Sequence, residues 1–255
     1  MDKKTLSIHP LDLGTLVKID KSIFTVARNQ GEKIDVPCIG WLILGGEKKV
    51  LVDTGPSDPE WASLHHRPLA KSSSQEIKNA LNKYGLRPDD IEVVIFTHLH
   101  WDHCFNLEHF PKATFWVQKT ELQYAVAPLP TAYRTYEAGV PGVQPPWMKV
   151  FGSLKLADGD QEILPGIRVL YLPGHSPGSQ GVVVDTGAGQ WLIAGDNVPL
   201  YENCDGDGSQ DIIPSGIYEN LHSYYDSLKI IIKYHNRILP GHEEKIFNCS
   251  EYPNR

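Results

Sequence analysis

Apolar positions alternate loosely with polar ones from residue 15 to 27, where Leu16, Ile19, Ile23 and Val26 predict early strands. Two apolar runs, Ile39–Leu44 and Lys49–Asp53, flank Gly45-Gly46 and read as a hairpin, the second stopping at Val52-Asp53-Thr54-Gly55. From there to Ser74, the residues Pro56, Pro59 and Pro68 predict loop. Ser72-Ser73-Ser74 offers a helix N-cap, and Ile77, Ala80, Leu81 and Tyr84 follow at helical spacing before Gly85. Ile91–Thr97 is a β-rich run of the buried kind, leading directly into His98-Leu99-His100-Trp101-Asp102-His103; a strand at Ala113–Val117 and a helix from Thr120 come next. Residues 126–150, rich in Pro, Ala and aromatics but without a period, read as an irregular excursion. A strand at Ile167–Leu172 ends in Pro173-Gly174-His175, and Gly181–Asp185 with Gln190–Ala194 form a hairpin around Thr186-Gly187. Tyr218–Tyr234 has helical spacing through Leu221, Tyr225, Leu228 and Ile232, and a short strand, Arg237–Leu239, ends in Pro240-Gly241-His242.

No linker divides the chain, so residues 1–255 are expected to form one α/β domain, a length with room for a sizeable core. Strands followed by a helix, twice over, suggest a duplicated layout with sheets inside and helices outside. Apolar residues make up 41% and charged residues 22%, as in globular proteins. The net charge of −7 argues against a nucleic-acid partner, which would need a basic face. No apolar run reaches the roughly 18 residues of a membrane span, and Met1-Asp2-Lys3-Lys4 does not open a signal peptide, so a cytoplasmic location is expected. Cys38, Cys104, Cys204 and Cys249 form no CxxC pair and are expected to be free thiols.

The 11 histidines change the picture, because several of them fall at strand ends. His98 and His100 stand two apart, so in an extended chain both rings point to one side. Asp102 and His103 come just after, where the chain can turn toward a second ion. Crowded imidazoles would repel if protonated and go unsatisfied if buried; ligation of a metal removes both problems. His175, Asp196 and His242 occupy the same kind of position, the two histidines sharing the wording Leu-Pro-Gly-His. His98, His100 and His175 are assigned to one ion and Asp102, His103 and His242 to the other, with Asp196 bridging and Asp53 orienting a ligand histidine from behind. Two divalent ions follow, zinc first, with manganese or iron also accepted by such donors.

These motifs resemble the metallo-β-lactamase superfamily: His98-x-His100-x-Asp102-His103, with Asp53 upstream and Gly174-His175, Gly195-Asp196 and Gly241-His242 downstream, over roughly residues 38–245. The resemblance implies a four-layer αβ/βα sandwich, two mixed β-sheets flanked by helices, with the site at one sheet edge. His100 stands where the family's flavodiiron branch carries Glu, which favours hydrolysis over redox chemistry. Within the superfamily the chain looks most like the N-acyl homoserine lactonases, through Thr97–His103 and Leu172–Gln180. That implies a small-molecule substrate with a carbonyl ester, a hydroxide bridging the ions as nucleophile, and Asp102 as ligand and proton shuttle. Those lactonases carry Tyr three residues after the bridging Asp; here that position is Pro199, and Tyr201 is the nearest substitute, its hydroxyl either reaching the substrate oxyanion or packing. A glyoxalase II-like thioesterase is the alternative on the same site, and a mononuclear iron dioxygenase the alternative of another class. Trp101 and Phe105 are candidates for an apolar rim. Tyr133, Tyr136, Trp147 and Met148 are candidates for a substrate pocket or a homodimer contact, and Arg67, after His65-His66, for binding a carboxylate.

Overall fold

A computed structural model of the chain describes residues 5–253. The first sheet contains β1 (Ser7–Asp20), β2 (Lys33–Leu44), β3 (Val50–Val52), β4 (Leu69–Ala70), β5 (Val93–Ile95), β6 (Thr114–Gln118) and β7 (Leu154–Ala157), in the order β4-β1-β2-β3-β5-β6-β7. β1, β2 and β3 pair antiparallel, while β3, β5, β6 and β7 run parallel. The second sheet holds β8 (Gln161–Leu164), β9 (Ile167–Tyr171), β10 (Gln180–Asp185), β11 (Gln190–Gly195) and β12 (Ile238–Pro240), in the order β12-β11-β10-β9-β8. It is antiparallel except for the parallel pair β11 and β12.

The period of two along the strands builds the layers. Ile39, Trp41 and Ile43 of β2 share one core with Val182, Val184 and Ile193 of the second sheet. The intervening Leu42 joins Leu51 and Val94 on the opposite face. The helices are α1 (Pro59–His65), α2 (Ile77–Asn82), α3 (Lys119–Val126), α4 (Tyr133–Tyr136), α5 (Glu202–Asp205) and α6 (Leu221–Ile231). α2 covers the outer face of the first sheet with Ile77, Ala80 and Leu81. α6 covers that of the second with Tyr224, Leu228 and Ile231 against Val183, Leu192 and Ala194. The result is helix, sheet, sheet, helix, the expected sandwich.

Several elements differ from the sequence reading. The first strand is Ser7–Asp20, not 15–27; Asp20 accepts from the Ser22 amide and hydroxyl and turns the chain into a single 3-10 turn. The prolines of 56–74 do not exclude helix, because Pro59 occupies the first turn of α1, where its missing N–H costs nothing, behind an Asp58 cap. β7 and β8 lie where no element was predicted; both are four-residue strands with exposed polar positions and no alternation long enough to read. The excursion at 126–150 contains α4 and two 3-10 turns. All four cysteines are free, Cys38 and Cys104 buried. No helix among the described residues is long and apolar enough to cross a membrane.

Candidate metal centre

Parallel strands end on the same side of a sheet, and here those ends meet. Asp53 follows β3, the segment from Thr97 to His103 follows β5, His175 follows β9, Asp196 follows β11 and His242 follows β12. Two glycines make the approach possible. Gly174 sits at φ +144°, and a Cβ there would strike the backbone of Tyr224 on α6. A Cβ on Gly241 would stand 2.7 Å from Asp196 Oδ1.

All seven side chains proposed from the sequence converge. His98, His100, His175 and Asp196 form one group of facing donor atoms; Asp102, His103, His242 and Asp196 form the other. Asp196 belongs to both. Its Oδ1 lies 3.1 Å from His103 Nε2 and 3.1 Å from His242 Nε2, and its Oδ2 lies 3.6 Å from His175 Nε2. Asp102 stands further off, at 3.9 Å from His103 and 3.8 Å from His242.

The surroundings fix which nitrogen points inward. His175 Nδ1 donates to the Ile217 carbonyl at 3.0 Å and His242 Nδ1 to the Pro37 carbonyl at 2.8 Å. His103 Nδ1 donates to Asp53 Oδ2 at 2.9 Å. The Thr97 hydroxyl donates to Asp53 Oδ2 at 2.7 Å and so accepts from His98 Nδ1 at 3.0 Å. With Nδ1 engaged in this way, the Nε2 atoms of these four rings point inward as the atoms left for a cation. His98 Nε2 then meets His175 Nε2 at 3.3 Å, lone pair against lone pair. His103 Nε2 and Asp196 Oδ1 are buried without a hydrogen-bond partner. A cation between them satisfies every one of these atoms, so the donor set fits a pair of divalent ions.

Protonation tells the same story. Burial and the neighbouring imidazoles hold His98 and His100 well below the ordinary histidine value. Burial opposes charge on His103 and His242 too, but the carboxylates around them, Asp196 and Asp102 with Asp53 also beside His103, together outweigh it and hold both above the ordinary value. Asp196 in turn is held well below the carboxylate range by those two rings, against the effect of burial.

Tyr201 does not join this group. It precedes α5 with its ring packed on the inter-sheet core, its amide donating to Glu243 Oε2 at 3.1 Å. Burial, with Glu243 and Cys249 nearby, pushes its hydroxyl up to about 12. It is not among the residues lining the cavity at the centre; of the two roles open to it, the structure gives it packing and not a place at a substrate oxyanion. Of the excursion residues, Trp147 and Tyr136 are buried in the outer core, while Tyr133 and Met148 are exposed. Phe105 borders a separate cavity with Trp61 and Lys71; Trp101 does line the centre.

Sequence reasoning missed Glu121. Its carboxylate accepts from the Leu99 amide and the Tyr136 hydroxyl through Oε1, and from the Ser176 hydroxyl and the Gly178 amide through Oε2. It therefore ties the segments that carry His98, His100 and His175. The one signal was an acidic residue on the otherwise apolar face of α3, beside Leu122 and Ala125.

Residues 35–242 match the profile of the Metallo-beta-lactamase superfamily. The chain belongs to that superfamily. Among curated members it is 31% identical over 179 residues to an N-acyl homoserine lactonase of Bacillus thuringiensis, covering 66% of each chain. It thus spans just under two thirds of that relative's length. It is 26% identical over 252 residues to an N-acyl homoserine lactonase of Bacillus cereus, covering 92% of this chain and 93% of the relative. A solved structure of a variant of the B. thuringiensis lactonase AiiA, with N-decanoyl-L-homoserine bound at its active site, superposes with a TM-score of 0.77 at 26% identity, covering 98% of this chain and 99% of that one.

Proposed function

We propose that this superfamily member is a dinuclear, metal-dependent hydrolase that opens a small lactone, with zinc as the resident ion. One observation carries the reading: two complete donor sets share a single carboxylate, Asp196, in a buried cage. The lactonase names of its relatives support the ester substrate.

His98, His100 and His175 would hold one ion, and Asp102, His103 and His242 the other, with Asp196 between them. Such ions, when bound, lower the pKa of water and polarise an ester carbonyl. The protein supplies the rest. Thr97, Asp53, Ile217 and Pro37 lock the imidazole tautomers. Leu16, Ile19, Ile23 and Phe24 line the cavity with apolar side chains. Asp102 lines the same cavity at a longer distance from the rings than Asp196, so a carboxylate oxygen remains free to carry a proton from the attacking water to the departing alkoxide. In a lactone that alkoxide stays tethered, and the product is a hydroxy acid.

The test is ring opening of a lactone panel by zinc-replete protein, followed by proton release, with metal content measured in parallel. Turnover should fall at least about 1,000-fold in Asp196→Asn and His100→Ala, together with metal content. Thioester cleavage without lactone opening would instead assign a thioesterase, and one iron per chain an oxygenase.

A further inference from the structure

We propose that Arg67 is the specificity-determining residue of this site, and that the lactone it accepts carries a carboxylate beside the ring. The inference rests on the lactone reading above and names the substrate class within it.

Arg67 lines the cavity at the metal centre together with Asp102, Asp196, His242, Ile19 and Phe24, and no other arginine or lysine among the described residues does. Its backbone is fixed on both sides. On one side, His66 Nε2 is 2.6 Å from Glu137 Oε1, and the imidazole stacks on Trp101 at 4.3 Å with the planes 2° apart. On the other, the Val17 amide donates to the Pro68 carbonyl at 3.0 Å, and Leu69 and Ala70 pair with Leu16 and Thr15 as β4. The guanidinium, by contrast, has no ion-pair or hydrogen-bond partner among the described residues. The two carboxylates on the same wall face His103 and His242 instead. An anchored backbone carrying an unpaired, exposed guanidinium at the rim of a reaction cavity is preorganised for an anionic ligand.

The cavity's size sets where that anion lies. At about 60 Å³ it is far smaller than the roughly 300–1,000 Å³ of common ligand pockets, so it takes little beyond a small ring. Substituents must extend toward solvent, the side on which the exposed Arg67 lines the cavity. The buried Leu16, Ile19 and Phe24 in the lining offer contacts to ring carbons, and the described lining offers no second lysine or arginine. A neutral amide at the mouth would gain one ordinary hydrogen bond from Arg67; a carboxylate gains a paired, charge-assisted fork.

The experiment compares 5-oxotetrahydrofuran-2-carboxylate with its neutral carboxamide, two lactones of identical ring, on zinc-replete wild type, Arg67→Met and Arg67→Lys. The wild type should prefer the carboxylate, and Arg67→Met should raise its KM about 10- to 100-fold, against about two- to fivefold for the carboxamide. Arg67→Lys should recover part of the loss on the carboxylate alone. Equal effects on both lactones, no effect on either, or wild-type preference for the carboxamide would overturn the inference while leaving lactone opening intact. If the wild type opens neither these rings nor any other lactone, the lactone reading itself fails and this inference with it.

Discussion

Glu121 shows how much one side chain can organise. A buried carboxylate with four donors and no cation beside it is costly, and burial pushes its pKa up in spite of those donors. Glu121→Gln keeps the shape but turns an NH2 group toward either the Ser176–Gly178 pair or the Leu99–Tyr136 pair. The hydroxyl of that pair can turn to accept, but the backbone amide then faces a donor, and we expect a loss of about 1–3 kcal/mol in chemical denaturation. Asp53→Asn acts on the site more directly, since Oδ2 of Asp53 receives both the Thr97 hydroxyl and His103 Nδ1. Metal affinity by chelator competition should fall about 10- to 100-fold with the far-UV spectrum unchanged. An unchanged affinity would remove Asp53 from the set of orienting residues. The seven convergent residues were legible because histidine and aspartate at strand ends have few other reasons to cluster. Glu121 was not, because its one signal, a place among the apolar positions of a short helix, is also that of an ordinary first-turn acid. Tyr201 misled because distance along the chain from Asp196 says nothing of the direction its ring takes into the core.

At the scale of elements, the prolines carry the lesson. Pro59 was read as a helix breaker, yet φ near −65° and a missing N–H suit the first turn of α1, where Asp58 accepts from the Trp61 amide at 2.8 Å. Asp58→Ala should cost about 1 kcal/mol, measurable as a shift in the unfolding midpoint. The hairpin of β2 and β3, the strand into His98 and the helix α6 were readable because each keeps its period over a full element. β7 and β8 were not, since four half-exposed residues hold too little pattern. The turn after β1 makes a pH prediction. Ser22 first, then Gly31 and Lys33, lower Asp20 from 3.8 to about 2. A carboxylate depressed on folding stabilises the fold above its unfolded value and loses that contribution as pH falls through the folded value. An NMR titration of the Asp20 carboxyl should therefore give a midpoint near 2, and Ser22→Ala should move it upward; a midpoint of 3.8 in the wild type would show the turn to be open in solution.

For the whole molecule, the placement of the ligands matters more than their number. His98, His100, Asp102 and His103 hang from the first sheet, whereas His175, Asp196 and His242 hang from the second. The order of strands within the two sheets could not be read from the chain, because β4 pairs with β1 across more than 50 residues and β12 returns to β11 past α6. Yet that order is what brings the five strand ends to one edge. Ions held there would clamp one sheet to the other, and their removal leaves facing lone pairs and an unpartnered Asp196 oxygen at the seam. Ligand that binds only the folded state stabilises it by about 4 kcal/mol at 1,000 times its dissociation constant. Calorimetry before and after chelation should therefore show a clear drop in Tm that zinc reverses. The same drop should be smaller in His175→Ala, where the second sheet keeps its hold on one ion through Asp196 alone. If chelation leaves Tm unchanged in the wild type, the ions do not bridge the sheets, and the edge would have to be held by the apolar core between them alone.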